Sequence, residues 1–152
     1  MRYWLMKSEP ETFSIDDLAH RPNQTEHWDG VRNYQARNML RDDMQPGDLA
    51  FFYHSNCKKP GIAGIVQIAS RGYPDHTAYD PTSAYYDPNA DPNRPRWYMV
   101  DVRYVRHLRR VITLDELRRQ PELAEMVLLR RGNRLSITPV TPAQWTAILS
   151  QE

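Results

Sequence analysis

The sequence predicts an α+β fold, a curved, barrel-like mixed β-sheet with short helices at its rims. Three observations carry that expectation. First, 152 residues suffice for one domain with a real core and fall short of two of ordinary size, so residues 1–152 read as a single domain. Second, two apolar stretches, residues 49–54 and 62–69, follow one another across a Pro60-Gly61 loop. Strands that adjoin in this way pair antiparallel, unlike the strand–helix alternation of a doubly wound sheet. Third, the helical stretches are short and interrupt the strands at irregular intervals, which places them at the edges of a sheet.

The elements follow in order. Residues 2–7 alternate as a first strand, and residues 13–18 form a short helix with Ser14 as N-cap and acids in its first turn. Residues 32–43 read as a second helix offering Tyr34, Ala36, Met39 and Leu40 for packing. A Gln45-Pro46-Gly47-Asp48 turn precedes the apolar strand 49–54. Gly64, inside the strand 62–69, would let a backbone or a ligand approach closely. Between positions 74 and 96 stand prolines 74, 81, 88, 92 and 95, which exclude a regular helix or a central strand. A segment that long is expected to be functional or to be pinned by its tyrosines. Residues 97–106 alternate again, with Tyr98, Val100, Val102 and Tyr104 on one face. Thr113-Leu114-Asp115-Glu116 is a capping box for a third helix that Pro121 stops. A last strand at 135–140 runs into a terminal helix with Thr141 as N-cap and Pro142 in its first turn.

Composition excludes several classes. With 40% hydrophobic and 26% charged residues the chain has an ordinary folded composition. Its longest apolar runs stay far below the ~18 residues of a membrane-spanning helix, and residues 1–7 lack the apolar core and cleavage site of a secretory signal. Cys57 is the only cysteine, so no internal disulfide forms. A reducing, cytoplasmic setting is expected. A net charge of +1 argues against bulk nucleic-acid binding. Only Lys7, Lys58 and Lys59 are lysines among the 20 basic residues, and arginine suits phosphate and aromatic rings alike. Arginine richness also reads simply as codon composition.

Four segments carry more chemistry than structure requires. Lys7-Ser8-Glu9-Pro10 ends a strand in a cation, a hydroxyl and an acid. Trp28 precedes a glycine turn at Gly30, followed by Arg32, Asn33 and Gln35 at the start of the second helix. Amides of this kind can read a base edge with paired donor and acceptor. Strand 49–54 runs into His54-Ser55-Asn56-Cys57, and Arg130, Arg131 and Arg134 surround Gly132. His54 and Cys57 stand three apart, but zinc needs three or four converging ligands and the remaining histidines are scattered. No metal and no cofactor is expected.

These segments, in this order, resemble the EVE domain family, a branch of the PUA-like superfold related to the YTH readers of methylated RNA. The resemblance rests on Tyr3 to Pro10, Gly30 to Asn38, Phe52 to Cys57, Pro60 to Gly64 and Tyr73-Pro74-Asp75. It continues through Tyr85 to Pro88, Pro95-Arg96-Trp97, Met99 to Val102 and Leu128 to Ser136. It implies a compact barrel whose pocket accepts a modified base, usually a cytosine derivative, from DNA or RNA.

The expected function is therefore a non-catalytic reader with an aromatic pocket, partnered by nucleic acid carrying a modified base and not by a membrane. The pocket set is Lys7, Ser8, Trp28, Asn33, His54, Ser55 and Asn56. Arg130, Arg131 and Arg134 would hold the flanking phosphates. The alternative for Trp28 is a plain core residue, and for each arginine alone a solvated charge. Two other functions stay open. Lys7, Glu9 and His54 could do acid–base work on a nucleotide if they share a pocket. The tyrosine-rich loop at 79–86 could serve as a protein-interaction module.

Overall fold

The structure is a computed structural model describing residues 1–152. Eight strands form: β1 (Tyr3–Ser8), β2 (Thr25–His27), β3 (Leu49–His54), β4 (Gly61–Ile68), β5 (Tyr73–Pro74), β6 (Tyr98–Met99), β7 (Asp101–Thr113) and β8 (Ile137–Val140). Four short helices accompany them: α1 (Ile15–Ala19), α2 (Tyr34–Asn38), α3 (Leu114–Arg118) and α4 (Pro142–Leu149). Six strands make one sheet in the order β2-β7-β4-β3-β1-β8, and β5 and β6 make a separate ribbon. β1 runs parallel to β3 while every other pairing is antiparallel, so the sheet is mixed. It curls into a half-barrel, helped by register shifts between β3 and β4 and between β4 and β7, because a bulge bends the strand that carries it.

Alternation along the central strands divides the core in two. Trp4 and Met6 of β1 and Ala50 and Phe52 of β3 face one cluster with Leu18, Trp28 and Leu40. Leu5, Phe51 and Tyr53 face the other, with Ile112, Trp145 and Ile148. Phe51 and Trp145 stack with centroids 3.8 Å apart. Each buried aromatic or branched side chain contributes about 1.5–3 kcal/mol, so a one-residue slip of β1 or β3 would exchange both cores and is strongly disfavoured.

The capping signals act as expected. Ser14 with Asp17, Thr113 with Glu116, and Thr141 with Gln144 each form a reciprocal capping box. No helix is long and apolar enough to cross a membrane. Gly64 does mark a close approach, since a Cβ there would lie 2.8 Å from both Arg106 O and Ile15 Cγ1.

Two expectations need correction. The helix expected at 32–43 begins only at Tyr34 and widens after Asn38 into a wider turn at Met39–Asp43, where Met44 N–H reaches back to Met39 O at 2.9 Å. The strand expected to end at 106 breaks at Val100 and then runs on to Thr113. Val102 faces one core while Leu108 and Ile112 face the other. Residues of equal parity change sides because bulges intervene, and a simple period-two reading loses the strand there. The proline-rich segment holds the β5 strand, a 3-10 turn at His76–Tyr79 and a series of aspartate turns. Arg32 pins it by donating to Tyr85 O at 2.7 Å, and Trp97 Nε1 does so by donating to Asp87 Oδ2 at 2.8 Å.

Candidate functional site

Because β1 and β3 are parallel neighbours, both chains leave the sheet at the same end, with Ser8 opposite His54. Ser55 N–H donates to Ser8 O at 2.9 Å, and Lys7 N–H donates to Ser136 O at the same distance. The strand ends and the segment before β8 are thereby drawn together. Beside them opens a cavity of about 570 Å³. Lys7, Ser8, Ser55 and Ser136 line one side of it, and the run from Trp28 to Val31 lines another. Phe13, Tyr85, Arg21 and Arg134 complete the enclosure together with Glu9, Thr12, Glu26 and His27.

Several contacts fix these walls. Ser8 Oγ donates to Phe13 O at 2.6 Å, which folds the β1–α1 connection over the strand end. Trp28 N–H donates to Val100 O at 2.8 Å, and its ring meets Phe52 edge-on at 5.4 Å and Phe13 at 6.5 Å. Trp28 is only 7% exposed, so it belongs to the core and to the cavity wall at once. The indole N–H groups of Trp4 and Trp97 donate to Asp48 and Asp87. That of Trp28 has no partner in the chain, yet it is not among the fully buried unpaired atoms, which are Asn133 Nδ2 and Thr138 Oγ1. It therefore reaches solvent.

A buried carboxylate holds the Gly30 turn of that wall. Asp75, 0% exposed, accepts from Gly30 N–H at 2.9 Å and from Arg32 at 3.0 Å, and from both the N–H and the hydroxyl of Thr77. Burial pushes its carboxyl up, but the hydrogen bonds from Thr77, Gly30 and Arg32 outweigh this and leave it below the usual value. Arg32 in turn lies over the rings of Tyr85 and Trp97. Position 30 must be glycine: its φ is +82°, and a Cβ would come 2.6 Å from Tyr85 Cζ.

The polar lining divides into engaged and free groups. Glu26 is taken by Arg21 at 2.9 Å and by His27 Nδ1 at 2.9 Å. Glu9 accepts from Asn56 Nδ2 at 3.0 Å. Lys7 is half-buried, and desolvation alone lowers its pKa, with no neighbouring charge contributing. Burial raises the pKa of Asp29, and the His27 Nε2 stands 3.6 Å from its carboxylate, too long for a hydrogen bond.

Of the residues singled out from sequence, Lys7, Ser8, Trp28, Ser55 and Arg134 line this one cavity, and the other five do not. Asn33 is exposed and its Oδ1 caps α2 by accepting from Ala36 N–H at 3.0 Å. The His54 Nε2 accepts from Ile15 N–H at 3.2 Å, tying β3 to α1, and burial lowers its pKa. Lys7, Glu9 and His54 are thus not assembled as an acid–base trio. Asn56 adopts a left-handed φ of 52° and acts on the cavity through Glu9. Arg130 and Arg131 are exposed and do not line the cavity. Sequence reasoning passed over Asp29, Phe13, Arg21 and Tyr85 as lining residues. Asp29-Gly30 was visible as a turn, and Tyr85 was visible only as part of a tyrosine-rich loop.

The model of the EVE domain matches residues 2–151. The chain belongs to the EVE domain family. It is 48% identical to human thymocyte nuclear protein 1 over 99% of this chain and 73% of that protein. Among solved structures, a Pseudomonas putida protein superposes with a TM-score of 0.93 at 51% identity, covering 97% of each chain. Human THYN1 protein in complex with DNA containing 5-methylcytosine superposes with a TM-score of 0.94 at 48% identity, covering 99% of this chain and 97% of that one. The half-barrel with rim helices is accordingly the EVE, PUA-like fold.

Proposed function

We propose that this EVE chain is a non-catalytic reader that captures a modified cytosine of DNA in the cavity beside Trp28. The observation that carries the reading is Trp28 itself. Its ring walls a cavity of about 570 Å³, within the roughly 300–1,000 Å³ of small-molecule sites, and its indole N–H is free. The human relative solved with 5-methylcytosine-containing DNA shares this fold at 48% identity, which favours DNA over RNA as the source of the base. Exposed Arg134 on the lining would meet a flanking phosphate, and exposed Arg130 and Arg131 would add to the same role. The single thiol of Cys57 fits a reducing compartment such as the cytoplasm.

The energetics limit what such a pocket can do. Removing a base from its stack costs a few kcal/mol, and stacking on one aromatic ring returns about 1–3 kcal/mol. A buried methyl adds only about 0.8 kcal/mol, or roughly fourfold in affinity. Preference for a methylated base should therefore be real and modest. The test is titration of the chain with oligonucleotides identical except for one cytosine or 5-methylcytosine. A several-fold preference for the methylated strand supports the reading, and equal affinity overturns it.

A further inference from the structure

Cytosine and thymine differ along the edge that normally pairs. Cytosine presents an amino donor at N4 and acceptors at N3 and O2, whereas thymine presents an acceptor at O4, a donor at N3 and an acceptor at O2. Thymine also carries the same C5 methyl as 5-methylcytosine. A methyl-sensing wall alone would accept both bases. A cavity that separates them needs an acceptor where N4 arrives.

The cavity holds three carboxylates, and two are occupied. Glu26 is engaged by Arg21 and His27, and Glu9 by Asn56. Asp29 remains, next in sequence to Trp28 and on the same lining, with 30% of its side chain open and no hydrogen bond from another residue. The same lining includes Lys7, which is half-buried and also without a charged partner. A cation with no charged partner and a carboxylate that accepts no hydrogen bond from another side chain share one cavity, and no ion pair joins them. Both have lost part of their hydration, as the opposite displacements of their pKa values reflect, and for Asp29 the His27 imidazole at 3.6 Å and its own backbone N–H compensate only in part. A ligand with a donor at one end of an edge and an acceptor at the other would satisfy both.

We infer that Asp29 and Lys7 read the pairing edge of the captured base, Asp29 accepting from the exocyclic amine and Lys7 donating to O2. The inference rests on the base-reader function proposed above and makes that site selective for amino-bearing pyrimidines. Asp29 follows Trp28 directly, their Cα atoms about 3.8 Å apart across one peptide, so acceptor and stacking ring line the same cavity side by side in sequence. O2 is common to both pyrimidines, so Lys7 supplies affinity and Asp29 supplies the choice.

The experiment compares oligonucleotides bearing 5-methylcytosine or thymine at one otherwise identical, unpaired position. The parent should prefer 5-methylcytosine at least about tenfold, in keeping with the discrimination of one good paired contact. Asp29→Ala should erase that preference by losing 5-methylcytosine affinity. Asp29→Asn, close to isosteric and a check against misfolding, should erase it by gaining thymine, because an amide can also donate to O4. Lys7→Met should weaken both ligands by a similar factor and leave their ratio intact. A parental ratio retained in both Asp29 variants overturns the inference, and so does a parent that binds the two bases equally while still preferring 5-methylcytosine to cytosine. A parent with no base preference of any kind overturns the reader function itself.

Discussion

Gly30 and Tyr85 are in direct contact: a Cβ on residue 30 would stand 2.6 Å from Tyr85 Cζ, on a backbone whose φ is +82°. The turn after Trp28 and the tyrosine of the proline-rich loop therefore define each other's position. Gly30→Ala should cost about 1–2 kcal/mol from the backbone alone, with a further loss as the ring is displaced. Denaturant titration should show a lower midpoint, and affinity for a methylated oligonucleotide should fall with it. A variant with parental stability and affinity would mean that Tyr85 is not held by this contact.

Trp28 has two roles that truncation cannot separate. Its ring is 7% exposed and packs on Phe52 and Phe13, so Trp28→Ala should destabilise the fold by about 3–5 kcal/mol. Trp28→Phe keeps an aromatic wall and should retain the fold with a modest loss, while weakening base binding severalfold. Thermal melts beside titrations distinguish the two. A Trp28→Ala protein that melts like the parent would show that the ring is not part of the core.

Asn33 is a structural residue in this geometry. Its Oδ1 caps α2 through Ala36 N–H, so Asn33→Ala should cost about 1 kcal/mol and leave oligonucleotide affinity unchanged within roughly twofold. A larger loss of affinity than of stability would return Asn33 to the binding surface.

The fold and the cavity differ in how far the sequence revealed them. Strand β3 and the three N-caps were legible because each is a local pattern: an apolar run around Phe51 and Phe52, and Ser14, Thr113 or Thr141 directly before a helix. Five cavity residues were legible because they flank strand ends and a glycine turn. What escaped depends on distant partners. His54 meets Ile15 across 39 positions and Arg32 meets Tyr85 across 53, and nothing local to His54 says that a backbone group will claim its side chain, whereas Asn33 is taken by a cap only three residues away that a helix start always offers. Strand β7 was shortened because bulges change its inward parity, and β2 was missed because Thr25-Glu26-His27 is a polar edge strand with no apolar period.

Asp75 gives the cavity wall a pH dependence. Its carboxyl lies below the ordinary 3.8, despite burial, because Thr77, Gly30 and Arg32 donate to it. A depressed carboxylate contributes stability that is complete above its unfolded value and is lost as pH falls through the folded one. Asp75→Asn should cost about 2–3 kcal/mol at neutral pH, less than a fully buried pair, because the Arg32 side chain keeps 23% exposure. The gap between variant and parent in thermal melts should narrow as pH drops below 3.8. A gap independent of pH would mean that the charge on Asp75 does not support the wall.

The most direct test of base capture beside Trp28 is the indole N–H region of a ¹⁵N–¹H NMR spectrum. The chain has four tryptophans, and the Trp28 resonance is assigned from the Trp28→Phe variant. Trp4 donates to Asp48 within the core and Trp145 stacks on Phe51 in the opposite core, so both serve as internal references. Addition of a short oligonucleotide with one 5-methylcytosine should shift the Trp28 resonance and leave those of Trp4 and Trp145 in place, with a smaller response to the unmethylated strand at equal concentration. An oligonucleotide that binds while the Trp28 resonance stays fixed would contradict the account, because the base would then be held elsewhere.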